Sequence, residues 1–265
     1  MLIIAERIDA TRRYVAQAIS SQNRGFIQSE ARDQAASGAD YINVNAAIFA
    51  AREAEHLRWV AEAVREVTEL PLCIDSPDPA AIRAVLPLAG SLPIINAVTL
   101  EAGSRMAEIL ALAIEHHAKV IASCQAGNGP AETAAAKVKI ACRLIDKITA
   151  AGIAVEDLYV DPLAYSLSTN PLAARATLDA IGQIMARFPG VHTTCCPDTV
   201  SYGLPARSLI HRTFLAAAMD RGLDSAIIDP SDRELVATLK AGDLIAGRDE
   251  SCMGYIGAFR KGRLE

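Results

Sequence analysis

Eight short apolar runs recur along the chain, and nearly all of them stop on a polar residue. They cover residues 2–5, 41–44, 72–74, 93–95, 119–122, 158–160, 191–194 and 225–228. Their ends carry Glu6, Asn43 with Asn45, Asp75, Asn96, Ser123, Asp161, a turn from Cys195 to Thr199, and Asp229. Runs this short read as buried strands, and stretches of helical periodicity separate them. Eight β-α units predict an α/β fold, a single (β/α)8 barrel closed by parallel strands. In such a barrel all strand C-termini open at one mouth, so a ring of carboxylates and amides is expected there.

A chain of 265 residues is typical of one such barrel, and no Pro/Gly/Ser-rich linker interrupts the alternation, so residues 1–265 are read as one domain. Hydrophobic residues make up 51% and charged residues 22%, which excludes disorder. With a net charge of −5 and only Arg260-Lys261-Gly262-Arg263 locally basic, a nucleic-acid partner is disfavoured. The N-terminus meets a charge at Glu6, too early for a signal sequence or a membrane span, so a cytoplasmic location with no membrane partner is expected. None of the six cysteines forms a CxxC pair, which reads as reduced, packed thiols. Adjacent Cys195 and Cys196 cannot both face the lumen, because alternate strand residues point to opposite faces.

Helix punctuation agrees with the alternation. Asp78-Pro79 reads as an N-cap with proline at the first helical position, and Asn170-Pro171 repeats it before a helix over 172–188. Ser231-Asp232-Arg233-Glu234 reads as a capping box, and Gly222 as the C-cap of a helix over 206–221. Further helices are expected over 101–116 and 131–151. No GxGxxG, GxxxxGK[ST] or GxSxG motif is present, so a nucleotide-binding doubly wound sheet has no phosphate loop. The long connections over 161–169 and 195–205 are expected to build the site.

Asp75, Asn96 and Asp161 carry the chemistry. Asp75 follows an apolar strand, and Asp78 already serves as the cap that would otherwise explain it. Asp161 has no helix terminus close by, and Asn96 offers one acceptor and two donors, although a buried structural amide is the alternative. Two anions and an amide suit a flat, donor-rich heterocycle such as a 2-amino-4-oxo-pteridine. A phosphate would call for arginine or backbone N–H groups. Magnesium on the carboxylates is the competing ligand. His56, His116, His117 and His211 fall on expected helices, outside the barrel, and His192 begins a strand at the end away from the mouth. No Ser/His/Asp grouping is expected at the strand ends. No lysine stands at a strand end in the mouth, which disfavours Schiff-base chemistry.

The segments Leu2-Ile3-Ile4-Ala5-Glu6-Arg7-Ile8, Leu72-Cys73-Ile74-Asp75-Ser76, Ile95-Asn96, Glu156-Asp157-Leu158-Tyr159-Val160-Asp161-Pro162-Leu163 and Arg207-Ser208-Leu209-Ile210-His211-Arg212-Thr213-Phe214-Leu215 resemble the pterin-binding barrels. Among these the chain is similar, over its whole length, to the methyltetrahydrofolate:corrinoid methyltransferases. The resemblance implies movement of a methyl group between N5 of tetrahydrofolate and the cobalt of a corrinoid carried on a separate protein. Tetrahydrofolate or methyltetrahydrofolate is then the substrate, and the direction from methylcorrinoid to tetrahydrofolate is the one considered. By matching position, Asp75, Asn96 and Asp161 would hold the pterin. Glu6, Asn45 and Arg207 would complete the folate site, and Asp75, Asp161 and Thr199 would be the catalytic set. The resemblance also implies a homodimer.

Three positions depart from the family pattern: Thr199 stands where an asparagine is usual, Asn43 where an aspartate is common, and Ala5 where a glycine is expected. The chain ends after one barrel and has no Asp-x-His-x-x-Gly cobalamin loop, so the corrinoid is expected on a partner protein. Dihydropteroate synthases share the pterin pocket, but the first loop here reads Glu6-Arg7-Ile8-Asp9-Ala10-Thr11 and no Lys-x-Arg pair follows the seventh strand. The alternatives are a dihydropteroate-synthase-like enzyme, a non-catalytic folate-binding barrel, and a metal-dependent barrel lyase or aldolase on Asp75 and Asp161.

Overall fold

The computed structural model describes residues 1–100, 103–125, 127 and 131–264. Strands occupy all eight apolar runs: β1 (Leu2–Asp9), β2 (Tyr41–Asn45), β3 (Leu72–Asp75), β4 (Ile94–Val98), β5 (Lys119–Ser123), β6 (Leu158–Asp161), β7 (His192–Thr193) and β8 (Ser225–Ile228). They pair in parallel in the order β7-β6-β5-β4-β3-β2-β1-β8, so the two ends of the sheet are β7 and β8. There the ladder gives way to one backbone bond, from Ile227 N–H to Cys195 O at 3.0 Å, and to the Ser225 hydroxyl on Thr194 Oγ1 at 3.1 Å. The barrel is therefore nearly closed rather than fully laddered. β7 is cut short because the chain turns at Pro197, which has no N–H to donate, into a 3-10 turn over Pro197–Thr199.

Alternation with period two assigns the strand residues to two layers. Ile42, Val44, Ile74, Ile95, Val120, Ala122 and Val160 face outward and pack in the main core beneath the helices. Ile4, Tyr41, Cys73, Ile94, Ile121 and Tyr159 face inward and pack on one another inside the barrel. Two residues further along each strand the same face carries Asn43 then Asn45, Asp75, Asn96, Ser123 and Asp161. An apolar plug thus fills the lower lumen and polar groups crown it.

Helices α1 (Arg13–Ser20), α2 (Arg24–Ala36), α3 (Glu53–Arg65), α4 (Pro79–Val85), α5 (Ser104–Glu115), α6 (Ala134–Ala150), α7 (Ala173–Arg187), α8 (Arg207–Asp220), α9 (Arg233–Ile245) and α10 (Met253–Arg260) accompany the strands. Among the described residues no helix is long and apolar enough to cross a membrane. Several boundaries move from those expected. Positions 101 and 102, the expected start of α5, lie outside the described residues. α6 starts at Ala134 because Thr133 caps it, accepting from Ala136 N–H at 3.2 Å. Asn170 accepts from Leu172 N–H at 2.9 Å, but regular helix begins only at Ala173. The cap of α9 is Asp232, accepting from Leu235 N–H at 3.0 Å, rather than Ser231. Ser231 is drawn away by the Asp229 carboxylate, to which its hydroxyl donates at 2.6 Å, and Glu234 pairs with Arg212 instead of closing a box.

Gly222 follows the C-cap Arg221 with φ 106°, and a Cβ added there would stand 3.0 Å from Met185 Cγ. Both the left-handed backbone and the contact oppose a side chain. Gly222→Ala is expected to lower stability by about 1–2 kcal/mol, read as a lower urea midpoint with the slope unchanged.

Candidate functional site

The strand ladders set the first part of the site. On one rung Asp9 pairs with Asn45, Asn45 with Asp75, and Asp75 with Asn96, which brings polar residues from four consecutive strands to one height. Asp9 lies beyond the apolar run over 2–5, in the segment 6–11 that the sequence assigns to the first loop. β1 instead runs through a bulge: from Ala5 to Ile8 it advances three residues while β2 advances two, from Ile42 to Val44. The extra residue turns Asp9 inward.

Asn43 Nδ2 donates to Asp75 Oδ2 at 3.4 Å, while Asn43 Oδ1 is buried without a partner. Asn43 is only 3% exposed, so this free acceptor lies inside the protein beside Asp75. Burial pushes the Asp75 carboxyl up to about 6; donors on Asn45 and Asn43 oppose the rise, and the Asp9 and Glu53 carboxylates add to it. Among the described residues the Asn96 amide makes no hydrogen bond, whereas its backbone carbonyl accepts from Ser76 N–H at 2.9 Å. Asp78 caps α4 as expected, accepting from Ala80 N–H at 3.0 Å, which leaves Asp75 outside that role.

A second rung pairs Ser123 with Asp161. One oxygen of Asp161 accepts from Leu163 N–H at 2.8 Å. Burial pushes this carboxyl up to about 6 as well, against the Leu163 N–H and the charge of Lys137. Lys137 comes from α6 rather than from a strand end, and so lies outside any reading of the strand ends. A signal was present. Lys137 sits on the buried stripe of Val138, Ala141, Leu144, Ile145 and Ile148, where an apolar side chain is the ordinary occupant.

The third part lies where β7 and β8 meet β1. A cavity of about 240 Å³ is lined by Glu6, Arg12, Asp198, Arg207, His211 and Asp229, among others. Arg12 Nη2 donates to Glu6 Oε1 at 2.6 Å, and the Cys196 thiol lies 3.6 Å from Glu6 Oε2. Burial and then the neighbouring Asp198 push Glu6 up to about 7, against the pull of Arg12. Cys195 packs outward with Phe214 and Leu215, so the two adjacent thiols do take opposite faces. The six cysteines are free.

Ser201, His211 and Asp198 form a chain that was not expected: Ser201 Oγ lies 2.6 Å from His211 Nε2, and His211 Nδ1 lies 3.3 Å from Asp198 Oδ1. The grouping is assembled from a loop and a helix start, which no strand-end survey would find. Ser201 is 0% exposed and also accepts from Arg207 Nε at 3.0 Å. That burial rules it out as a nucleophile and makes the chain a buckle between the β7 loop and α8. Arg207 is part of the buckle, with Nη2 on the Asp198 carbonyl at 2.8 Å, yet its side chain is 44% exposed at the cavity. Thr199 sits on the turn above, exposed, with its hydroxyl donating to Cys196 O at 3.1 Å.

The expected residues therefore fall in three groups: Asn45, Asp75 and Asn96 on one rung, Asp161 on a second, and Glu6 with Arg207 in the cavity; Thr199 follows the lining residue Asp198 but does not itself line the cavity. Asp9, Lys137, Asp198, His211 and Cys196 join them from the structure. His192 is remote, as expected: it begins β7, stacks on Tyr159 at 4.7 Å and binds Asp224 at 2.6 Å.

A family model described as pterin binding enzyme matches residues 13–229. The chain is 33% identical to the methylcorrinoid:tetrahydrofolate methyltransferase of Eubacterium limosum, over 100% of this chain and 98% of that protein. It is 31% identical to the methionine synthase of Mycobacterium tuberculosis over 87% of this chain, which is 20% of that longer protein. Among solved structures, dihydropteroate synthase from Xanthomonas albilineans with 4-aminobenzoic acid superposes with a TM-score of 0.66 at 18% identity, covering 93% of this chain and 92% of that one. The Coxiella burnetii dihydropteroate synthase in complex with pteroic acid gives 0.69 at 14% identity, covering 93% of each chain. These two share the fold. The family match and the end-to-end likeness to a methyltransferase go further: the chain belongs to the pterin binding enzymes and, within them, to the methyltetrahydrofolate:corrinoid methyltransferases.

Proposed function

We propose that this protein transfers a methyl group from a corrinoid, carried on a separate protein, to N5 of tetrahydrofolate. The observation that carries the reading is the 33% identity, from end to end, to a protein that performs methylcorrinoid:tetrahydrofolate methyl transfer. The donor set of the mouth supports it. Asp75, Asn96 and Asp161, with Asn45 and the free acceptor Asn43 Oδ1, offer an acceptor-rich edge to the amino and ring N–H groups of a pterin. An orphaned acceptor inside a protein is costly until a donor meets it.

The corrinoid brings the methyl group at cobalt, as a substrate delivered by its own protein. The residues of this chain bind and orient the folate. Asp75 and Asp161 face the donors of the pyrimidine edge, and the Asn96 amide fixes the plane of the ring. Glu6 and Arg207 take the β7–β8–β1 side of the folate. Glu6, with its carboxyl near 7, can hold a proton at that side at neutral pH. Holding N5 toward an open mouth supplies the alignment that methyl transfer needs.

The direct test is a methyl-transfer assay in both directions, with methylcobalamin and tetrahydrofolate, then with cob(I)alamin and methyltetrahydrofolate. Transfer in neither direction, with folate binding intact, would leave a folate-binding barrel. Thr199 bears on that second reading, because its hydroxyl is engaged by Cys196 O and gives N5 little support. Thr199→Asn is expected to raise transfer about tenfold, or about 1.4 kcal/mol. In kcat/KM the factor must be the same in both directions, since a substitution cannot move the equilibrium. Unchanged rates would remove position 199 from the N5 machinery.

We also place the protein in the cytoplasm, as one domain over residues 1–265, and expect a homodimer. Exposed apolar residues on helices, Ile114 and the 87% exposed Ile245 among them, support association. Light scattering at micromolar concentration should return twice 28.1 kDa, and a monomeric mass would overturn the dimer.

A further inference from the structure

Lys137 is the largest fully buried side chain of the described residues, at 0% exposure, and no step of the proposed reaction uses it. Its ammonium donates to the carbonyl of Pro162 at 2.8 Å and to that of Leu163, the two residues immediately after Asp161. It also lies over the Tyr165 ring, 4.3 Å from the centroid. Leu163 has φ 55°, a left-handed conformation that a leucine avoids, and its carbonyl is held additionally by the Thr177 hydroxyl at 3.2 Å. The same residue presents its N–H to Asp161 Oδ1 at 2.8 Å. One buried cation therefore ties down the turn that orients the Asp161 carboxylate.

The other titratable groups around the pair are Cys124 after β5, Cys195 after β7 and Tyr165 in the β6 loop, with Glu132 facing Tyr165 from the approach to α6. Burial pushes both thiols and the phenol above their ordinary values, so they are neutral at neutral pH. Lys137, itself lowered by burial to about 8, is then the positive charge that faces Asp161 at neutral pH and below. Two buried opposite charges that do not touch are each tolerated because the other is present.

We propose that Lys137 is a positioning residue for the pterin edge, locking the 162–163 turn through its two carbonyls and keeping Asp161 an anion that accepts from the ligand. The proposal rests on the assignment of Asp161 to the pterin. It predicts that the acid limb of tetrahydrofolate binding depends on a residue that never touches the folate.

The experiment is calorimetry of tetrahydrofolate with the full chain between pH 5 and 9, for wild type, Lys137→Met, Lys137→Arg and Asp161→Ala. Lys137→Met should bind at least tenfold more weakly at pH 7.5, with its acid limb moved to higher pH. Lys137→Arg, which keeps the charge and the donors, should keep the acid limb where wild type has it. If Lys137→Met does not fold, Lys137→Gln, which retains a donor without the charge, carries the same expectation. A Lys137→Met or Lys137→Gln acid limb that coincides with wild type overturns the proposal, as does a Lys137→Arg limb that moves with that of Lys137→Met. Asp161→Ala separates the two layers. If it binds within twofold of wild type, the pterin assignment itself fails; if it loses binding while the Lys137→Met limb stays in place, only the role of Lys137 fails.

Discussion

Alanine at Asp75 or at Asp161 is expected to weaken tetrahydrofolate binding by about 1–3 kcal/mol each, about 5- to 150-fold in Kd. Each substitution removes a buried acceptor and leaves ligand N–H donors unpaired at a site partly shielded from water. The loss should differ between the two. Asp75 has Asn43, Asn45 and Asp9 around it, so a water placed on Asn43 Oδ1 and Asn45 can replace part of the missing carboxylate. Asp161 stands beside Ser123 alone on its rung, and its turn is held by Lys137, so its removal leaves a buried cation without the anion that faces it. Asp161→Ala should therefore be the more damaging of the pair. Calorimetry at pH 7.5 checks both, and binding within twofold of wild type for both variants would dissolve the assigned pterin edge.

The apo protein should behave in the opposite sense. Both carboxyls titrate near 6 in the fold and near 3.8 when unfolded, so the folded state holds their protons more tightly. For a group raised in this way, the favourable contribution is complete below about pH 4 and is lost as pH rises through 6. At pH 7.5 each carboxylate thus opposes folding, by about 1–3 kcal/mol on the scale of 1.36 kcal/mol per pH unit. Asp75→Asn keeps the shape without the charge. It is expected to raise the apo stability at pH 7.5 by that amount while weakening folate binding, and to match wild-type stability near pH 4. Asp161→Asn also removes the anion that faces Lys137, so its gain should be smaller. Urea midpoints at the two pH values decide the matter; a gain that does not grow with pH would mean that burial is not what raises these groups. The same ionisation that binds the ligand costs stability, a familiar trade at functional sites.

Several features were legible in the sequence because they depend on neighbours in the chain. The eight strands lie where the apolar runs lie, and period two then directs Asp75, Asn96 and Asp161 to the lumen whatever packs around them. Caps whose donor and acceptor are two or three residues apart, such as Asp78 with Ala80, were readable for the same reason. Cys195 and Cys196 were separated to opposite faces by nothing more than adjacency.

What only the tertiary structure decided involves residues far apart in the chain. The bulge between Ala5 and Ile8 is a mismatch between β1 and β2, so Asp9 joins the polar rung for a reason that β1 alone does not contain. Ser231 read as a cap until the Asp229 carboxylate, held at the end of β8, took its hydroxyl. The buckle of Ser201, His211, Asp198 and Arg207 exists only once α8 packs under the β7 loop. Lys137 reaches carbonyls 25 and 26 residues further along because α6 lies against the β6 turn. Local periodicity and capping act over a few residues and are written in the chain. The partners that tune the carboxylates and hold the loops are chosen by packing across the barrel, where desolvation makes each distant charge or donor count.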